Sequence, residues 1–201
     1  MKVLKINSSA NKDNSISRNM VEYIVSKLQN KDSNLEVKDR DVAYSNLPYL
    51  NQPFVEAMFH KGELSEEQKE TLRISDALID ELIVSDIIVI GAPMYNFTIP
   101  SSLKSYFDLI ARPGRTFNFD AMGVLSGLVK NKKAIVVISS GGTQIDSKDD
   151  FTKGYLSKVL AFIGITDVQF LEMDQAGFKY KEKFEAATAK LDSTLMPKIG
   201  T

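Results

Sequence analysis

Ile87-Ile88-Val89-Ile90-Gly91-Ala92, running straight into Pro93-Met94-Tyr95-Asn96-Phe97, is the stretch on which the fold turns. Four successive β-branched residues favour a strand. No polar residue alternates with them, so both faces of that strand must be covered, as in a parallel sheet with helices on either side. Pro100 then suits the first turn of a helix from about Ile99 to Ala111. The stretch therefore reads as strand, loop and helix, with an aromatic-rich loop at the carboxyl end of the strand.

The same grammar extends in both directions. Upstream, Val3 to Ile6 reads as a strand, and Ser15 to Asn30 as a helix with Met20, Ile24 and Leu28 on one face. Leu35 to Asp39 alternates like a partly exposed strand. The connection from Val42 to Leu64 is long for a compact domain, which suggests a lid or an interface element. Ser65-Glu66-Glu67-Gln68 is a capping box opening a helix to about Val84. Downstream, Ala134 to Ile138 is a second fully apolar strand, Asp149 to Ile163 a helix, Val168 to Leu171 a fifth strand, and Lys181 to Leu195 a terminal helix with Pro197 beyond. This alternation predicts an α/β fold, an open doubly wound five-stranded parallel sheet. Five strands fit the flavodoxin-like order 2-1-3-4-5, as a single domain over residues 1–201.

Composition removes several classes of chemistry. With no cysteine there is no disulfide, thiolate nucleophile, iron–sulfur cluster or Cys-based zinc site. His60 is the single histidine, which rules out a His-cluster metal site within one chain, and no G-x-S-x-G elbow occurs. Lys plus Arg is 25 against 26 for Asp plus Glu, without the basic footprint of a nucleic-acid binder. Met1 to Asn7 is too short and too charged for a signal peptide, and no apolar run reaches the ~18 residues of a membrane span. A cytoplasmic protein is the expectation.

In open α/β sheets ligands lie at the carboxyl ends of the strands. After the first strand comes Ser8-Ser9-Ala10-Asn11-Lys12-Asp13-Asn14-Ser15-Ile16-Ser17-Arg18, a hydroxyl-rich loop entering a helix. It reads either as an ordinary N-cap or as a phosphate cradle built from serines and free helix N–H groups. Arg18 could add charge or face water. Neither G-x-G-x-x-G nor G-x-x-x-x-G-K-[ST] is present, so a monophosphate fits better than a dinucleotide or a P-loop triphosphate. After the third strand, Met94, Tyr95 and Phe97 could wall a flat ring, and Asn96 offers a donor and an acceptor to its edge; the alternative is a loop packing on its own helix. After the fourth, Ser139-Ser140-Gly141-Gly142-Thr143 has paired glycines that allow positive φ and close approach of a ligand, or simply a turn.

Taken together, Lys2-Val3-Leu4 leading to Ser8-Ser9, Ser15-x-Ser17, Ala92 to Phe97, Leu103-Lys104-x-Tyr106-Phe107-Asp108, Ser139-x-Gly141-Gly142 and Phe162-Ile163-Gly164-Ile165 resemble the FMN-dependent NADH:quinone oxidoreductases and azoreductases over essentially the whole chain. The resemblance implies a homodimer with one non-covalent FMN per chain. It puts Ser9, Ser15, Ile16 and Ser17 on the phosphate, Met94, Tyr95, Asn96 and Phe97 on the ribityl chain and ring, and Ser139, Ser140, Gly141 and Gly142 along the pyrimidine side. It implies ping-pong transfer from NADH or NADPH through FMN to quinones or aromatic azo compounds, with no catalytic side chain and no metal. The family often has Arg where this chain has Ser140 and Tyr where it has Phe119. Phe119 and Phe162 are expected as apolar walls of the substrate pocket, Phe162 equally as core. A flavodoxin-like electron carrier, a nitroreductase-type flavin reductase and an interaction protein without flavin are the alternatives.

Overall fold

The computed structural model describes residues 1–195; Pro197 lies outside them. Five parallel strands form the central sheet: β1 (Lys2–Asn7), β2 (Glu36–Asp41), β3 (Ile87–Pro93), β6 (Lys133–Ser139) and β7 (Asp167–Met173), in the order β2-β1-β3-β6-β7. With the main strands counted alone this is 2-1-3-4-5; the numbers shift because a small antiparallel hairpin, β4 (Phe117–Phe119) and β5 (Leu125–Gly127), intervenes.

Side chains along the inner strands alternate between two cores, as the pleat requires. Leu4, Ile6, Ile88, Ile90, Val136 and Ile138 face one core; Val3, Val89, Ile135 and Val137 face the other. The second is covered by α1 (Ile16–Lys31) and α6 (Ala176–Leu195) through Met20, Ile24 and Leu191. The first is covered by α3 (Glu66–Val84), α4 (Ser101–Ile110) and α5 (Lys153–Ile163) through Leu78, Phe107 and Leu160. Both faces of β3 are therefore buried, which is why its sequence shows no alternation.

Helix ends follow local chemistry. Ser65 and Gln68 make the reciprocal capping box of α3. Pro100 sits one residue ahead of α4, at ψ 145°, so the helix starts at Ser101. The turn before α5 is held by Asp150, whose Oδ1 accepts from the N–H groups of Thr152 and Lys153, and it shortens the helix expected from Asp149. Helix α6 starts at Ala176, earlier than its apolar pattern indicated, and breaks at Lys179 (φ −123°).

Within the long connection, α2 (Gln52–Met58) is capped by Asn51 and buries Phe54 and Ala57 in the α3-side core. So short a helix exists by packing, not propensity. The hairpin is anchored by close backbone approach. A Cβ on Gly127 would lie 2.2 Å from Gly164 N, and Gly164 closes α5 at φ +106°. Val129 N–H donates to Ile163 O (2.9 Å) just beyond.

Candidate cofactor site

The loop after β1 is tied to the centre of the sheet: Ser8 Oγ donates to Gly91 O at 2.6 Å. Ser15 caps α1, its Oγ accepting from Arg18 N–H (3.3 Å). The N–H groups of Ile16 and Ser17 have no acceptor inside α1, so two donors and the positive end of the dipole face outward. Ser9, Ser15 and Ile16 line a cleft of about 190 Å³. Ser17 is fully buried behind them, 3.2 Å from the Ser15 hydroxyl. Arg18 neither lines the cleft nor faces water: it pairs with Asp41 at 2.7 Å.

The loop after β3 is a strained turn. Tyr95 N–H donates to Thr98 O (2.9 Å) and Thr98 N–H returns to Tyr95 O (3.2 Å), with Asn96 at φ 50° and Phe97 at φ 72° between them. Two left-handed residues are what the tightest reversals require, and Asn tolerates this where Phe does not. The bulky ring is nonetheless held there, 55% exposed, with Phe97 O accepting from Phe151 N–H (3.0 Å). Met94 N–H is used on Ser139 O (2.7 Å), which leaves Asn96 and Phe97 as the unengaged backbone donors of the segment. Met94 and Tyr95 line the cleft with Ser9. Asn96 instead borders a neighbouring cavity of about 500 Å³ that includes Pro100, Lys104 and Tyr155. Burial, with Asp108 nearby, pushes the Tyr155 phenol up to about 12, so it stays protonated.

Ser139, Ser140 and Gly141 close the cleft from β6. Neither Gly141 nor Gly142 adopts positive φ; the left-handed position in this loop is Asp146 (φ 63°). Their value is the missing side chain: a Cβ on either would meet nothing within 4 Å, so backbone lies bare there. The Ser140 hydroxyl turns inward, donating to Thr143 O and accepting from Gln175 N–H (3.2 Å). Ser140 thus knits the turn to the start of α6.

Phe119 and Phe162 are not among the residues that line the cleft. Both contact Phe117, with centroids 5.8 and 4.5 Å away. Phe162 packs half-buried against the core, while Phe119 is 53% exposed on the hairpin. Asp120 Oδ1 accepts from Met122 and Val124 N–H (2.8 and 2.9 Å) and fixes the hairpin tip, which exposes Met122 and Val124 beside Phe119.

The donor set suits a phosphate monoester followed by a flat ring. Ala10 N–H (3.1 Å) and Ser9 Oγ (3.2 Å) already converge on one oxygen, the Tyr95 phenol. Hydroxyls, amides and a helix start supply neutral donors to a dianion. Bare glycine backbone and the Met94 side chain supply an edge and a wall. Among the described residues no group of acidic or histidine side chains could hold a metal. Composition alone missed Asn11 and Asn14, which also line the cleft, and Tyr44, which lies beyond β2 and holds Ala10 O without lining the cleft; Asn11 Oδ1 accepts from Asp13 and Asn14 N–H (3.1 Å each).

Sheet order and a ligand cleft at the strand switch define a protein of the flavodoxin class, and residues 1–195 match the family model described as flavodoxin-like fold. The chain is 45% identical over 171 residues to the FMN-dependent NADH:quinone oxidoreductase of Escherichia coli, covering 85% of each chain. It is 39% identical over 175 residues to FMN-dependent NADH:quinone oxidoreductase 1 of Hahella chejuensis, covering 87% of this chain and 85% of that one. It belongs to the FMN-dependent NADH:quinone oxidoreductase family. The fold is shared with an FMN-dependent NADH-azoreductase from Bacillus anthracis, solved in complex with FMN (TM-score 0.83, 22% identity, 96% of this chain and 97% of that one).

Proposed function

We propose that this protein is an FMN-dependent oxidoreductase that reduces quinones with NADH and cleaves aromatic azo compounds by the same route. The observation that carries the reading is the convergence of three strand-end loops on one cleft, in a chain 39% and 45% identical to the two quinone oxidoreductases above. FMN supplies the redox chemistry, taking up hydride and passing it on. The protein binds and orients. Ser9, Ser15, Ile16 and Ser17 hold the phosphate, the first two by hydroxyl and the α1 start by N–H. Met94 to Phe97 form the bed of the ring, with Asn96 and Phe97 N–H free to meet its polar atoms. Ser139 to Gly142 border its edge with backbone. Phe119, exposed on the hairpin and outside the cleft lining, is the proposed apolar contact for the acceptor.

The overall reactions balance without a protein nucleophile. A quinone takes one NADH and one proton to become a quinol and NAD⁺. An azo compound takes two NADH and two protons to become two amines and two NAD⁺. The chain acts in the cytoplasm, where the nicotinamide donors are, and as a homodimer; exposed Phe97, Phe119, Met122 and Phe151 support a paired surface. Among the described residues no helix is long and apolar enough to cross a membrane.

Anaerobic addition of NADH to the FMN-loaded protein is expected to bleach the flavin, and a small quinone to restore the colour. A flavin that stays oxidised overturns the reading. Running NADPH in parallel and repeating with an azo dye fixes donor and acceptor preference.

A further inference from the structure

The loop after β1 is held from behind as well as lined in front. Ser9 O accepts two bonds from one guanidinium, Arg18 Nη2 at 2.6 Å and Nε at 3.3 Å. The same fork grips Asp41 through Nη1 (2.7 Å) and Nη2 (2.9 Å), at the carboxyl end of β2. The next carbonyl, Ala10 O, accepts from Tyr44 Oη at 2.6 Å. The Tyr44 ring is in turn covered by the Lys12 ammonium, 3.9 Å from its centroid.

Every peptide here is trans, and in a trans peptide the C=O and the following N–H point in opposite directions. Anchoring Ser9 O from behind therefore aims Ala10 N–H forward, and anchoring Ala10 O aims Asn11 N–H forward. That is where they point: Ala10 N–H to the Tyr95 phenol (3.1 Å) and Asn11 N–H to Ser9 Oγ (3.2 Å), both atoms of cleft-lining residues. The Arg18 charge is spent on Asp41, so it is not a direct partner for an anion.

We infer that Arg18 and Tyr44 are positioning residues that fix two successive peptide planes of the phosphate loop, and that this preset aim is what makes the site prefer FMN over its dephosphorylated form, riboflavin. The inference rests on the phosphate lying in this loop. The planar guanidinium presents its donors in a rigid fork that meets both Asp41 oxygens and Ser9 O together, an alignment that the point charge of an ammonium does not preset.

The test titrates the full-length, flavin-stripped chain with FMN and with riboflavin, following flavin fluorescence. The unsubstituted protein is expected to bind FMN far more tightly than riboflavin; equal affinities would overturn the placement of the phosphate, and the inference with it. Given that preference, Arg18→Met is expected to weaken FMN by about 10- to 100-fold and Tyr44→Phe by about 5- to 10-fold, the range for charged and neutral hydrogen bonds. Riboflavin affinity is expected to stay within about 3-fold in both. Equal loss for the two flavins means a general structural role and overturns the inference, as does no loss for either. If Arg18→Met does not fold, Tyr44→Phe, which removes one hydroxyl from an exposed ring, decides the question alone.

Discussion

Phe97 occupies a backbone conformation that its side chain resists. At φ 72° a non-glycine residue costs on the order of 1–3 kcal/mol, and such outliers persist where the surroundings over-determine them. Here the Tyr95–Thr98 hydrogen bonds and the Phe151 N–H bond do so. Phe97→Gly is accordingly expected to raise thermal stability by roughly 1 kcal/mol while reducing FMN affinity or turnover. If the variant is no more stable and fully active, the strain has neither the cost nor the use assigned to it. Ser140 teaches the complementary lesson. Its hydroxyl is committed to Thr143 O and Gln175 N–H inside the loop, so its role is to hold the turn.

The hairpin of β4 and β5 is the element with the least sequence signal and the most exposed apolar surface. It depends on the Gly127–Gly164 contact, where an added Cβ on Gly127 would come within 2.2 Å of backbone. Gly127→Ala is expected to displace the hairpin and cost about 2–4 kcal/mol by denaturant unfolding, with the KM for quinones rising as Phe119 moves. Unchanged stability would show that the close approach relaxes freely. On β1, Lys5 bridges Glu22 (2.7 Å) and Asp39 (2.8 Å). Burial alone lowers the pKa of its ammonium, but the hydrogen bonds to Asp39 and Glu22 together outweigh it and leave the pKa above the usual 10.5. A raised folded pKa stabilises below the unfolded value and loses that contribution as pH rises through the folded one. The advantage of the native protein over Lys5→Met, discounted for solvent screening to about 1 kcal/mol or less, is expected to hold from pH 6 to 9 and to fade above about pH 10.5. A gap that is equal at pH 7 and pH 11.5 would refute this.

For the whole molecule, three loops from three strands meet only when the sheet is assembled, so ligand binding and folding are linked. FMN at ~100 times its Kd is expected to stabilise the fold by about 2.7 kcal/mol and to raise Tm by roughly 5–10 °C, read by near-UV circular dichroism. No shift with FMN would remove the site from this cleft. The two cores on either face of β3 make that assembly cooperative: losing one strand exposes side chains on both sides.

Period and apolar run length determine the class of fold by themselves. Only a strand covered on both faces can dispense with polar alternation, and β3 and β6 do. The serine loop, Met94-Tyr95-Asn96-Phe97 and Ser139 to Gly142 were legible as candidates because strand ends in such sheets face ligands. What tertiary structure alone decided was everything held by distant partners. Helix α2 and the hairpin are too short to announce themselves and exist through packing on α3 and α5. Arg18 found Asp41 across 23 positions of sequence, and Tyr44 found Ala10 across 34. Phe117 gathered Phe119 and Phe162. Local pattern encodes which face of an element is buried; it does not encode which remote group will meet a given donor, because that depends on how the sheet brings chain ends together.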